Sequence, residues 1–108
     1  MQTYRRSYSR FKLNRPCLLV SSLGTRYPSI LRDLGARGAA VLSETTLELN
    51  QNITIIMDAP LISKEDLRKE ATVIWSRKID DILWQYGLDF GESNKIQIPP
   101  EYREIFLS

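Results

Sequence analysis

From Phe11 the chain alternates apolar and polar positions through Leu13, then runs extended through Pro16-Cys17-Leu18-Leu19-Val20 to Ser21-Ser22. This is the pattern of a strand closed by a turn at Leu23-Gly24-Thr25. A second strand is expected from about Arg26 to Leu34, broken or edge-placed near Pro28. A third covers Ala39 to Ser43, after the turn Gly35-Ala36-Arg37-Gly38. Ile53, Ile55 and Met57 fall on one face of a fourth strand, with Thr54 and Ile56 on the other. In a fifth, Ala71, Val73 and Trp75 alternate with Thr72, Ile74 and Ser76. In a sixth, Trp84, Tyr86, Leu88 and Phe90 alternate with Gln85, Gly87 and Asp89, and the last two strands read as a hairpin turning near Asp80-Asp81. Because Trp84, Tyr86 and Phe90 share their side with Leu88, that face reads as core rather than as a surface for stacking ligands.

The rest of the chain is less periodic. Residues 1–9 carry Tyr4 and Tyr8 without a buried face and read as a mobile arm, giving a flexible basic segment over residues 1–10 and a single domain over 11–108. Pro60 to Lys69 is polar, with Ser63 and Asp66 at capping-box spacing, and suits a long loop or one helical turn. Pro99-Pro100 precedes a segment in which Tyr102, Ile105 and Phe106 share a helical face, so a short helix is expected to close the chain. Six short strands with little helix predict an all-β protein: a small six-stranded antiparallel β-barrel with a short C-terminal helix.

Composition narrows the chemistry. A chain of 108 residues, 43% hydrophobic and 26% charged, suits one globular domain with one modest core. It contains no His, which removes Ser-His-Asp triads, Cys-His pairs, His-bearing zinc sites and an imidazole general base. Cys17 is the single cysteine, so no internal disulfide can form, as suits a reducing compartment, and its apolar strand marks it as core filling. Met1 to Lys12 lacks the apolar stretch of a secretory signal, and no apolar run approaches the roughly 20 residues of a membrane-spanning helix. The expectation is a cytoplasmic protein without a membrane span. Asp80 and Asp81 diverge in a turn and make a poor catalytic carboxylate pair. With no acid-base pair or nucleophile to assemble, no enzyme activity and no cofactor are expected.

The net charge of +2 is unevenly placed. Up to Arg37, eight basic residues stand against Asp33 alone, a local charge of +7, and the remainder carries −5. Seven of the eight are arginines, whose planar forks hold anions bidentately, although a solvated basic face is the commoner meaning of such a run.

Within this basic third, Arg6-Ser7-Tyr8-Ser9-Arg10 has R-x-x-x-R spacing just before the first strand. Asp33-Leu34-Gly35-Ala36-Arg37-Gly38 closes the second strand, and Tyr86-Gly87-Leu88-Asp89-Phe90 stands near the end. In order and spacing these segments resemble the PilZ domain family, whose signature is an R-x-x-x-R arm, a D-x-S-x-x-G turn and a late glycine-containing strand. The resemblance covers about Tyr4 to Glu92.

It implies a six-stranded barrel that binds cyclic di-GMP, a bacterial second messenger, and signals to a downstream protein partner without catalysis. The ligand's guanines present N7 and O6 acceptors to an arginine fork. On this resemblance Arg6 and Arg10 grip phosphate and guanine, and Asp33 accepts guanine N–H groups. Gly38 permits a close backbone approach or a positive-φ turn. Gly35 stands where the family has Ser, so one hydroxyl contact is missing, at a cost of about 0.5–1.5 kcal/mol. Arg5 and Arg37 are further contacts that the family pattern does not specify. Two other readings remain open. One is a degenerate member of the same fold that serves as a protein-interaction adaptor without the nucleotide. The other, less favoured, is a barrel that binds single-stranded nucleic acid through its basic third, which leaves the Asp33 turn unused.

Overall fold

The computed structural model describes residues 10–57 and 67–96. The alternating segments form six strands: β1 (Arg10–Val20), β2 (Arg26–Gly35), β3 (Gly38–Ser43), β4 (Asn52–Met57), β5 (Arg68–Lys78) and β6 (Trp84–Asp89). Each pairs antiparallel with its neighbours in the order β1-β2-β3-β6-β5-β4, and β4 returns to β1 through Cys17–Val20 against Thr54–Met57. The sheet is a closed barrel, as the pattern of short strands predicts.

The inward-facing residues form one core. Leu19, Leu31, Leu34, Val41, Ile55, Val73, Tyr86 and Leu88 are all essentially inaccessible to solvent. Cys17, Ile53, Met57, Ala71 and Phe90 complete the layer. Tyr86 brings the one polar atom of this centre, and both of its bonds go to the connection after β3: its hydroxyl donates to the Thr45 carbonyl at 2.7 Å and accepts the Leu47 N–H at 2.9 Å. Burial raises the pKa of that phenol, an effect the hydrogen bond with the Leu47 N–H partly offsets.

Both strand prolines sit where one neighbouring strand has ended. β2 runs unbroken through Pro28, but pairing with β3 begins only at Ile30, so Pro28 is an edge position on that side. Pro16 likewise lies beyond the reach of β4. The turns also follow the sequence. The Ser21 Oγ accepts the N–H groups of Leu23 and Thr25, and Asp80 Oδ1 accepts those of Ile82 and Leu83.

Two expectations need revision, and one falls outside the described residues. First, β1 already includes Arg10, and β5 extends back to Arg68 because its polar residues pair with β4. The expected connection over Pro60–Lys69 therefore ends in strand, and its earlier part lies outside the described residues. Second, the short helix expected over Glu101–Phe106 also lies outside them, and among the described residues the only helical turn is a 3-10 turn at Glu92–Asn94. Third, Trp75 does not share the inward face of Ala71 and Val73. Val73 faces Leu88 but Trp75 faces Gly87, so Ile74 is an extra residue in the ladder and the bulge turns Trp75 outward. Trp75 retains 39% of its exposure while Val73 retains none.

Gly38 makes the close approach that its place in the turn motif allowed for, without a positive φ. It faces Asp89 across the ladder, and a Cβ there would run into the backbone carbonyl oxygen of Leu88. Gly38→Ala is therefore predicted to destabilise the barrel by about 1–3 kcal/mol, read from the urea midpoint. An unchanged midpoint would refute the packing account. Cys17 is buried, and desolvation pushes its thiol from 9.0 up to about 12. A raised value means that the folded state holds its proton longer, so stability is intact below about pH 9 and falls as the pH rises toward about 12. Cys17→Val should flatten that part of the stability profile relative to the wild type.

Candidate functional site

The first and second strands bring the two arginine-and-aspartate motifs together by register. Arg10 pairs with Gly35 and Lys12 with Asp33. Between Lys12 and Arg15 the ladder is irregular, and on the other side of β2 the pairing steps from Leu31–Val41 to Asp33–Ala40, leaving Arg32 as an extra residue. This second bulge decides where Asp33 points. Uninterrupted alternation would put Asp33 on the core side with Leu31, whereas the phase shift sends it outward and returns Leu34, fully buried, to the core. Asp33 is half-buried on the outer wall.

The outward position continues across the sheet. Asp33 faces Ala40, Ala40 faces Gly87, and Gly87 faces Trp75, so one register row runs from Lys12 on β1 to Trp75 on β5. Ala39 and Val41 belong to the core cluster, which fixes Ala40 and its partners on the outer face. A second row, Gly38–Asp89–Thr72–Asn52, lies two residues along. Beside it is a polar cleft of about 360 Å³ whose lining includes Asn52, Glu70, Thr72, Asp89 and Asn94.

The turn between β2 and β3 is anchored to the chain that follows β6. The Arg37 carbonyl accepts the Phe90 N–H at 2.7 Å, and the Ala36 carbonyl accepts the Ile96 N–H at 2.6 Å. The Arg37 guanidinium reinforces the connection. Its Nε donates to Asp89 Oδ1 at 3.1 Å and its Nη1 to Glu92 Oε1 at 2.8 Å, while Lys95 Nζ lies 2.6 Å from Glu92 Oε2. In this arrangement Arg37 is a brace for the turn.

Among the candidate residues, the structure brings Arg10 (through its backbone), Asp33, Gly35, Arg37 and Gly38 to one end of the β1–β2–β3 wall. Arg5 and Arg6 lie outside the described residues, and with them the outer part of the arm. Motif spacing does not single out Lys12 or Trp75, since each reaches this row only through long-range register. Gly35 faces Arg10, so the position at which the family motif carries a serine hydroxyl holds no side chain here.

Comparison with known proteins agrees with this geometry. The family model described as PilZ domain matches residues 4–98. Among solved structures, the chain is similar to the Bacillus subtilis inhibitor of motility MotI/DgrA, with a TM-score of 0.65 and 15% identity, over 97% of this chain and 49% of that one. It is also similar to the PilZ domain of YcgR with c-di-GMP from Escherichia coli, with a TM-score of 0.58 and 18% identity, over 96% of this chain and 87% of that one. The K. pneumonia MrkH-c-di-GMP complex gives a TM-score of 0.57 and 14% identity, over 97% of this chain and 50% of that one. The chain thus spans about half the length of MotI/DgrA and of MrkH. No curated protein sequence matches it.

The brace at Arg37 is open to solvent, so its contribution should be small and screened. Arg37→Ala is predicted to cost about 1 kcal/mol or less at low ionic strength and to approach the wild type at ~1 M salt, where the Debye length is about 3 Å. Thermal unfolding at the two ionic strengths measures this, and a salt-independent loss would mean that Arg37 acts through packing instead.

Proposed function

The chain belongs to the PilZ domain family, and from that premise we propose that it is a non-catalytic receptor for cyclic di-GMP acting in the cytoplasm. The observation that supports this most is the pairing of Arg10 with Gly35 and of Lys12 with Asp33, which sets the end of the R-x-x-x-R arm beside the aspartate turn on an outward wall. A ligand with two phosphates and two guanines needs cations for the former and acceptors for the N–H edges of the latter, and this pairing supplies both. Arg6 and Arg10 grip phosphate and guanine, with Arg5 as an additional cation. Asp33 accepts from guanine, and Gly38 keeps the turn close to β6. For Arg37 to touch the ligand it would have to exchange its bonds to Asp89 and Glu92.

Binding from an arm costs conformational entropy, and that cost is what makes a switch: the arm orders on the ligand and presents a new surface to a downstream protein. The structures of the YcgR PilZ domain and of MrkH with c-di-GMP support the choice of ligand by fold similarity. Gly35 supports a second reading, an adaptor of the same fold that has lost the nucleotide. A pull-down that recovers the same partner with and without cyclic di-GMP would favour the adaptor.

Calorimetric titration tests the receptor reading. Cyclic di-GMP should bind in preference to cyclic di-AMP and GTP. Arg6→Ala and Arg10→Ala should each weaken binding about tenfold or more, as loss of a charge-assisted bond does. Gly35→Ser, which restores the hydroxyl, should tighten binding about two- to twelvefold. No heat from folded protein at hundreds of micromolar ligand would sink the reading, as would an affinity unchanged in both arginine variants.

A further inference from the structure

At the end of the barrel away from the Asp33 turn, β2 and β3 diverge. Their pairing runs only to Ile30–Leu42 and β3 ends at Ser43, so Tyr27, Pro28 and Ser29 have no β3 partner. Pro28 has no N–H to give to a longer ladder. Side chains bridge the gap instead. The Ser29 and Ser43 hydroxyls are hydrogen-bonded at 2.9 Å, and Ser43 Oγ accepts the Thr45 N–H at 3.2 Å. Between the diverging ends lies a groove of about 600 Å³, on the side of β2 away from β1.

The lining runs from Tyr27 to Ile30 and from Leu42 to Thr45, with Leu83 of the β5–β6 hairpin opposite. Pro28, Ile30, Leu42 and Leu83 make it largely apolar, and Ile30 keeps 42% of its exposure. Thr45 adds a hydroxyl. Glu44 is the only charged residue among the described lining; it is exposed and forms no ion pair with another described residue. Asp80 accepts the Leu83 N–H at 2.9 Å and so brings a second carboxylate to the hairpin side of the groove. Arg26, which precedes Tyr27, is not part of the lining. An apolar slot with a hydroxyl and carboxylates fits an amphipathic aromatic side chain accompanied by cations.

A segment of that chemistry precedes β1. Tyr4-Arg5-Arg6-Ser7-Tyr8 carries two phenols, two guanidinium groups and no acid, and neither the core nor the nucleotide contacts assigned above use its tyrosines. Reach decides whose groove it fits. β1 begins at Arg10 opposite Gly35, and the groove begins five positions back along β2, about 17 Å away at ~3.3 Å per residue. Tyr8 precedes Arg10 by two residues, spans about 7 Å and falls short. Tyr4 spans about 20 Å, and only if the segment doubles straight back across β2. The two tyrosines enter together only in a groove on another copy of the chain.

We propose that the groove between the diverging ends of β2 and β3 receives the segment Tyr4–Tyr8 of a second copy, with the tyrosines against the apolar lining and Arg5 beside Glu44. Two copies exchange segments reciprocally, the closed two-fold arrangement in which each gives one segment and one groove. A stable dimer needs about 800 Å² from each partner, more than one short segment in one groove supplies. Reciprocity doubles the contact, and the dimer is weak and reversible. The docking does not depend on the receptor reading. That reading adds a consequence: Arg6 cannot hold cyclic di-GMP while it lies in a partner's groove, so the nucleotide favours the monomer.

Sedimentation of the full chain at concentrations up to hundreds of micromolar tests this, with circular dichroism and urea midpoints to establish folding. The wild type should form a concentration-dependent dimer. Glu44→Arg, Arg5→Glu and the double variant Tyr4→Ser/Tyr8→Ser should each weaken it about fivefold or more. Glu44→Arg combined with Arg5→Glu restores opposite charges and should recover most of the loss. A folded chain that stays monomeric overturns the docking, and a urea midpoint lowered by Tyr4→Ser in that monomer would assign the segment to its own barrel. A dimer indifferent to all of these changes lies on another face and overturns it equally. Cyclic di-GMP should shift the wild type toward monomer, and binding that leaves the dimer unchanged refutes the competition. If the dimer responds as expected but binds no cyclic di-GMP, the receptor reading fails and the docking stands. If cyclic di-GMP binds a chain that is monomeric throughout, the docking fails and the receptor reading stands.

Discussion

Closing six strands on themselves is the constraint from which the rest of the molecule follows. The pairing of β1 with β4 leaves no free edge along the inner strand segments, and the interior admits a single layer of side chains. A sheet bent this tightly cannot keep a regular ladder throughout. Register breaks occur between Lys12 and Arg15, between Leu31 and Asp33, and between Val73 and Trp75. Each reverses which residues face inward, and together they put Asp33 and Trp75 on the outer wall. The chemistry of the surface is thus a by-product of how the barrel bends.

Much of the fold was legible because strand identity depends on local alternation. All six strands, the turn at Gly24, the hairpin at Asp80-Asp81 and the core placement of Cys17, Leu88 and Phe90 could be read along the chain. Alternation fails where the count is interrupted. Ala71, Val73 and Trp75 are an unbroken apolar series in sequence, and nothing local says that Ile74 is an extra residue in the ladder. The polar start of β5 was hidden for a related reason: Arg68, Lys69 and Glu70 become strand through pairing with β4, which no propensity records. In the site, motif spacing found the Asp33 turn, but the engagement of Arg37 depends on carboxylates 52 and 55 positions later in the chain.

The uneven charge also takes a physical form in the fold. The basic first third becomes β1 and β2, adjacent strands on one side of the barrel, and the acids that balance it enter largely from later elements. Asp89 and Glu92 approach the β2–β3 turn from the end of β6 and neutralise Arg37 there, while Lys12 and Arg32 remain exposed on the wall. At the opposite end, the buried Tyr86 hydroxyl secures the connection after β3 by two short hydrogen bonds. One end of the β3–β6 pair is therefore held by a buried neutral group and the other by exposed ions, so the two ends respond differently to salt and pH.

The bonds from Phe90 N–H to Arg37 and from Ile96 N–H to Ala36 are made entirely by main-chain atoms. Their donors and acceptors exist whatever side chains those positions carry, provided that proline is not introduced at the donor. A lineage can accordingly rewrite the exposed side chains between Phe90 and Ile96, such as Glu92 and Ser93, while the mechanical tie to the β2–β3 turn stays intact. The tie is inherited with the backbone, and the exposed surface between its two anchors is open to revision.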